Sequence, residues 1–334
     1  MRPLTTIVVA TVLAATAPAP AGALDKLNVN LNFTVEGWHG PWFLARANGY
    51  FADAGLEVNV QRGFGSVDTV KKVLTGVADI GFADPVPIIQ AVADGQPIRA
   101  IMGGYMKEPC ALYSVAEHAN VRSPKEMEGK TIGGNPGDIC VVLLQPVMEK
   151  AGADFTKVNI QSMDAPTRIP LLAAGRLDTA GSFYEKDVLF GNAIKAAKKT
   201  MVTWRYDRYI DKYSVMVVVN QKLINEKPDM LRKLTLALLK GYRDHLKDPD
   251  AGAGAIMKAH PEFDRDYIYS SARIFHENVW DETAKAKGIG ILSADKMQAT
   301  IDLTARYWKL PRKPVPNEIF TNELIEWAHA QLKK

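Results

Sequence analysis

Leu27, Val29, Leu31 and Phe33 alternate with polar neighbours, the period of two that a half-buried strand requires. The loop Glu36-Gly37-Trp38-His39-Gly40 follows, and Pro41 suits the first turn of a helix that runs through Phe43, Leu44 and Ala47 to a stop at Gly49. Residues 56–60 read as a second strand. Gly63-Phe64-Gly65-Ser66 then opens a helix that ends at Gly76, with Ser66 as its expected N-cap. A short buried strand is expected over 78–82, a helix over about 87–94, and a strand over 98–102. Strands alternating with helices predict an α/β fold whose parallel sheet is covered on both faces.

The pattern restarts after Tyr105. Residues 111–115, 130–133 and 158–161 read as strands, with a helix over about 137–150 that Pro146 should kink or restart, since proline removes an internal hydrogen bond. From Pro228 the spacing is helical. Helices are expected over 228–247, 249–259, 264–285, 294–308 and 317–332, with apolar residues recurring at three and four, as in Leu231, Leu234, Leu238 and Leu239.

One stretch is echoed within the chain. Gly76-Val77-Ala78-Asp79-Ile80-Gly81-Phe82 finds its counterpart in Gly175-Arg176-Leu177-Asp178-Thr179-Ala180-Gly181. Each copy is a helix end, a glycine able to take a left-handed cap, an aspartate and a short strand. Each strand runs into polar and aromatic residues, Asp84 in the first copy and Ser182-Phe183-Tyr184-Glu185 in the second. Ligands of open parallel sheets bind beyond the carboxyl ends of the strands, so two such sheets facing each other make a cleft. The plainer alternative is two α/β turns that resemble each other by chance.

Residues 1–23 carry one positive charge at Arg2, an apolar stretch from Leu4 to Ala15, and the small-residue ending Ala21-Gly22-Ala23. This is the pattern of a secretory signal peptide cleaved after Ala23. Pro18 and Pro20 argue against a membrane anchor. An exported chain meets an oxidising space, where Cys110 and Cys140 could pair if their Cα atoms lie within about 7 Å. Otherwise they are two small buried hydrophobes. At 334 residues the chain has the length of two domains. Its 41 positive and 37 negative residues are nearly balanced, and no run of like charges points to nucleic acid.

Signals of chemistry are few. Gly129-Lys130-Thr131 has Pro124 where a phosphate-binding loop needs glycine, and Gly63-Phe64-Gly65 has Asp68 where a dinucleotide loop needs its third glycine. The six histidines show no metal-ligand spacing. The loops suit recognition instead. Trp38, Trp42, Phe64, Phe183 and Tyr184 offer aromatic faces, and Glu36, Asp84, Asp138 and Glu185 offer acceptors to a ligand that donates N–H bonds. Asn135-Pro136-Gly137-Asp138 opens a helix whose free N–H groups could hold an anion, and Arg62 and Arg168 are the nearest basic candidates.

Four segments in this order behind a signal peptide, namely Gly49-Tyr50-Phe51-Ala52-Asp53-Ala54-Gly55-Leu56-Glu57-Val58, Gly76 to Phe82, Ser123-Pro124-Lys125-Glu126-Met127-Glu128-Gly129-Lys130-Thr131-Ile132-Gly133 and Gly175 to Asp178, resemble the periplasmic solute-binding proteins of ABC importers. The branch is that of nitrate-, sulfonate- and taurine-binding proteins and of binders of thiamine pyrimidine precursors. The resemblance implies two α/β lobes joined by two crossovers, 24–110 with 216–334 and 111–215, with a helical C-terminal region. A small ligand would be trapped between them by hinge closure. It further implies a monomer that passes ligand to an inner-membrane permease, without catalytic residues, cofactor or metal. By position in the family pattern the ligand should touch Trp38, His39, Asp84, Gly137, Asp138, Ser182, Tyr184 and Glu185. The aromatic and acidic set favours a flat, nitrogen-bearing, pyrimidine-like solute, with a small organic anion (a sulfonate, an aromatic carboxylate or nitrate) as the alternative. The branch also holds enzymes that make the thiamine pyrimidine with a pyridoxal cofactor and a cysteine-rich iron motif. Here 134–140 has one cysteine and the Trp38-His39 loop has no nearby lysine, which disfavours that activity.

Overall fold

The computed structural model describes residues 24–134 and 138–333, so the expected signal peptide and Gly137 lie outside the described residues. Four strands come first: β1 (Asp25–Asn30), β2 (Leu56–Gln61), β3 (Ile80–Ala83) and β4 (Ile98–Gly103). Five follow in a second sheet: β5 (Cys110–Val115), β6 (Thr131–Gly133), β7 (Asn159–Gln161), β8 (Thr179–Phe183) and β9 (Met201–Arg205). The chain then returns to the first sheet as β10 (Met216–Asn220). The strand orders are β2-β1-β3-β10-β4 and β7-β6-β8-β5-β9. This is the α/β architecture of two sheets joined by two crossovers.

Each sheet departs from the all-parallel expectation by one strand. β10 runs antiparallel to β3 and β4, and β5 runs antiparallel to β8 and β9. The crossovers explain both. A chain leaving β4 or β9 at its carboxyl end enters the other sheet from the side the sheets share, so its first strand there runs against the rest.

The internal echo is a shared pairing device. Asp79 accepts the backbone N–H of Asn28 at 2.8 Å, one residue ahead of the Val29–Ile80 pair. Asp178 accepts the N–H of Thr131 at 3.0 Å, one residue ahead of the Ile132–Thr179 pair. Gly76 and Gly175 turn into these strands at φ of 73° and 74°, a region glycine enters without a Cβ penalty.

Several boundaries differ from the expected ones. Gly65, at φ 117°, caps the helix Ser66–Leu74, while the Ser66 hydroxyl accepts the N–H of Asp84 at 3.0 Å. The helix expected over 137–150 is broken into Ile139–Val142 and Leu144–Lys150. The break falls where Pro146 has no N–H for the Val142 carbonyl. The segment 264–285 divides into Arg265–Asn278 and Glu282–Lys287 because Asp281 caps the second helix through Ala284 N at 2.8 Å. The last helix divides into Pro316–Ile319 and Glu323–Leu332, and Phe320 between them bridges to Ala100 of β4. Pro228–Lys247 lays Leu231, Leu234, Leu238 and Leu239 into a core that holds Val29, Trp42, Ile80 and Val217 of the first sheet. Trp42 is a core residue. Among the described residues no helix is long and apolar enough to cross a membrane.

Cys110 and Cys140 are bonded, with their Cα atoms 5.4 Å apart, so the start of β5 is tied to the helix Ile139–Val142. A buried charge cluster ties the two crossovers. Lys212, between β9 and β10, reaches Glu108, between β4 and β5, at 2.7 Å and Asp84, after β3, at 2.8 Å.

Candidate functional site

The turn after β1 is set by a reciprocal cap. Glu36 N–H donates to His39 Nδ1 at 3.0 Å, and the 3-10 turn Gly37–His39 forms between them. Because Nδ1 accepts, the His39 proton sits on Nε2, which donates to Asn32 Oδ1 at 3.3 Å. Burial keeps this imidazole neutral, lowering its pKa to about 4 against the pull of Glu36. Glu36 itself is buried, which would raise its carboxyl. The Lys186 ammonium at 3.2 Å and the Trp38 indole N–H at 2.8 Å outweigh that and hold it below the ordinary range.

Trp38 is fully buried in an aromatic stack. Its ring lies 3.8 Å from His39, 4.8 Å from Tyr105, 5.7 Å from Phe82 and 6.3 Å from Phe183. Phe183 ends β8, so the stack spans the junction of the two sheets. Tyr184 follows it. Its hydroxyl donates to Asn278 Oδ1, and the Arg205 guanidinium lies 3.8 Å over its ring. Arg205 also pairs with Glu277 at 2.7 Å.

Glu185 has a different environment from Glu36. Its Oε1 accepts the Asn278 amide at 3.1 Å, and its buried Oε2 has no hydrogen-bond partner among the described residues. Burial, with the Glu36 charge added, pushes its carboxyl up to about 8. The Tyr105 hydroxyl lies beside it without a well-aligned hydrogen bond.

The structure thus brings Trp38, His39, Tyr184 and Glu185 to one junction. Ser182 sits on β8, half-buried and paired with Ala111. Asp84 and Asp138 are engaged within the scaffold. Asp84 caps Val86 N at 2.9 Å and pairs with Lys212, and Asp138 caps Cys140 N at 3.1 Å and pairs with Arg168 at 2.6 Å. Arg168 also donates from Nη1 to the Gly181 carbonyl, while its buried Nε has no hydrogen-bond partner among the described residues, and Arg62 lies over the exposed Phe64 ring at 4.4 Å. Tyr105, Lys186, Arg205 and Asn278 join the site without a local signal. Asn278 meets Glu185 across 93 residues of chain, and no short motif encodes that distance. Among the described residues no cluster of histidine, cysteine and carboxylate side chains could hold a metal ion.

The NMT1/THI5-like family model matches residues 37–252, a span that includes Trp38, His39, Tyr184 and Glu185. The chain belongs to the NMT1/THI5-like family. Relatives with which it shares sequence include a formylaminopyrimidine-binding protein of Halalkalibacterium halodurans, 21% identical over 70% of this chain and 71% of the relative. A riboflavin-binding protein of Chloroflexus aurantiacus is 22% identical over 93% and 89%. A 4-amino-5-hydroxymethyl-2-methylpyrimidine phosphate synthase of Candida albicans is 25% identical over 91% and 89%, so the relatives comprise both binding proteins and synthases. The fold is that of the alkanesulfonate-binding protein of Xanthomonas axonopodis pv. citri, with a TM-score of 0.68 at 13% identity, over 92% of this chain and all (100%) of that one.

Proposed function

We propose that this protein is the exported, periplasmic substrate-binding component of an ABC-type importer, and that it captures a small, flat, nitrogen-bearing solute of pyrimidine type. Its halves are 24–110 with 216–334 and 111–215, and the ligand lies at their junction on Trp38, His39, Tyr184 and Glu185, with Ser182 alongside. Asp84 and Asp138 shape the walls. A membrane permease receives the ligand when the halves part.

The observation that carries this reading is the Glu185 carboxyl, buried beside an aromatic stack with one oxygen unpartnered. A buried polar atom left without a hydrogen bond costs about 1–3 kcal/mol, and a ligand N–H or ring nitrogen would satisfy it. The relatives that bind formylaminopyrimidine and riboflavin, both flat nitrogen heterocycles, support the same class. A thermal-shift screen of the mature chain tests it. A ligand at 100 times its Kd adds about 2.7 kcal/mol of stability. Aminopyrimidines should raise the melting temperature, and mass spectrometry should recover them unchanged. A shift with sulfonates or nitrate alone would replace the ligand class, and turnover would replace the role.

A further inference from the structure

Two buried carboxyl groups, Glu36 and Glu185, meet at the junction, and their hydrogen-bond partners are unequal. Glu36 takes the Lys186 ammonium at 3.2 Å, the Trp38 indole N–H at 2.8 Å and the Thr34 hydroxyl at 3.4 Å. Glu185 takes the Asn278 amide on Oε1, with its own backbone N–H and the Tyr105 hydroxyl close by and no ammonium paired to it. The other charged groups around it are committed elsewhere. Arg205 stacks on Tyr184 and pairs with Glu277, and Asp187 takes the Tyr113 hydroxyl at 2.5 Å. His39 is neutral, and the phenols of Tyr105, Tyr184 and Tyr267 are held above their ordinary range, chiefly by burial. One ammonium therefore balances one carboxylate. The second carboxyl has no cation of its own in a dry setting, where an isolated charge takes up a proton instead.

We propose that Glu185 meets its ligand as the neutral acid: Oε1, fixed by Asn278, remains an acceptor, and Oε2 carries a proton that it donates to an uncharged acceptor on the ligand. The substrate class is then a neutral heterocycle with an acceptor and an N–H side by side, such as a ring nitrogen next to an amino-bearing carbon. The ring nitrogen takes the Oε2 proton's hydrogen bond, and the amino group returns one to the second lone pair of Oε1. This inference rests on the binding role proposed above and adds the protonation state of the site. The raised carboxyl of the buried Glu185 agrees with it. In an open, hydrated cleft the same group would titrate at its ordinary value, so closure at neutral pH takes up a proton.

Calorimetry of the mature chain with 4-amino-5-hydroxymethyl-2-methylpyrimidine, in buffers of different ionisation enthalpy, reads this directly. We expect uptake of about one proton at pH 7 and affinity that falls about tenfold per pH unit between about pH 5 and 8, levelling off above that. Glu185→Gln keeps a donor and an acceptor in the same places. It should bind at least as tightly as the unsubstituted chain at pH 7, since no proton has to be taken up, and show a flat pH profile. Binding without proton uptake by the unsubstituted chain, or a loss of tenfold or more in Glu185→Gln, overturns the neutral acid and leaves the binding role standing. Failure of the unsubstituted chain to bind this pyrimidine at any pH overturns the ligand class, and the neutral acid with it.

Discussion

Asn278 joins Tyr184 and Glu185, accepting the hydroxyl of one and donating its amide to the carboxyl of the other at 3.1 Å. The helix it ends, Arg265–Asn278, also supports the Trp38 turn, where Gly37 N–H donates to Ser271 Oγ at 2.9 Å. The approach is so close that a Cβ on Gly37 would lie 2.1 Å from the Ile268 carbonyl oxygen. One helix therefore sets the position of both sides of the junction. Asn278→Leu should leave the fold intact and weaken ligand binding about 5- to 100-fold, the range for unpairing a buried polar group. Calorimetry with the ligand found in the thermal screen measures it, and unchanged affinity would remove Asn278 from the site.

Lys212 stands between Asp84 and Glu108 with no exposure to solvent. Lys212→Met leaves two buried carboxylates without their cation, and breaking a buried pair in this way costs about 3–5 kcal/mol. Urea denaturation should show a loss of that size. Adding Asp84→Asn and Glu108→Gln should restore much of it, because the uncompensated charge is then gone. A single variant as stable as the parent would contradict the charge account.

The Cys110–Cys140 bond closes a loop of 30 residues. Chain-entropy reasoning assigns such a loop about 3–4 kcal/mol. Reduction under mild denaturant, or Cys110→Ser with Cys140→Ser, should lower the melting temperature accordingly. No change on reduction would mean the bond adds nothing to the native state.

His39 and His245 are buried and neutral, each with its pKa lowered to about 4, chiefly by burial. Their unfolded values lie near 6.5, so between pH 6.5 and 4 the unfolded chain binds more protons than the folded one, and stability falls as pH drops through that window. Each contributes up to about 3 kcal/mol. Glu185 acts in the opposite sense. Its pKa is raised from 4.5 to about 8, so the stability it contributes is lost as pH rises through 8. Melting temperature should therefore peak at about pH 6.5. His39→Asn, which keeps an acceptor at the Nδ1 position, should flatten the acid limb. An acid limb as steep as before would assign it to other groups.

By itself the sequence determined the alternation of strands and helices, the double-length architecture and the helical tail. Pro228–Lys247 and Pro249–Ala259 were legible to the residue because proline, spacing and cap are local signals. The aspartates of the internal echo were legible for the same reason, and the structure gave them one task, holding a backbone N–H of a neighbouring strand. Trp38, Tyr184 and Glu185 were legible as candidates from their places near strand ends or helix starts, and His39 from its place in the family pattern. Tertiary structure decided what those groups are. It bonded Cys110 to Cys140, set Asp84 and Asp138 into ion pairs with Lys212 and Arg168, and reversed β5 and β10. It also gave the one nearby ammonium to Glu36 and left Glu185 with Asn278. Charge state and pairing depend on which distant groups share a dry volume, and no local pattern of residues records that distance.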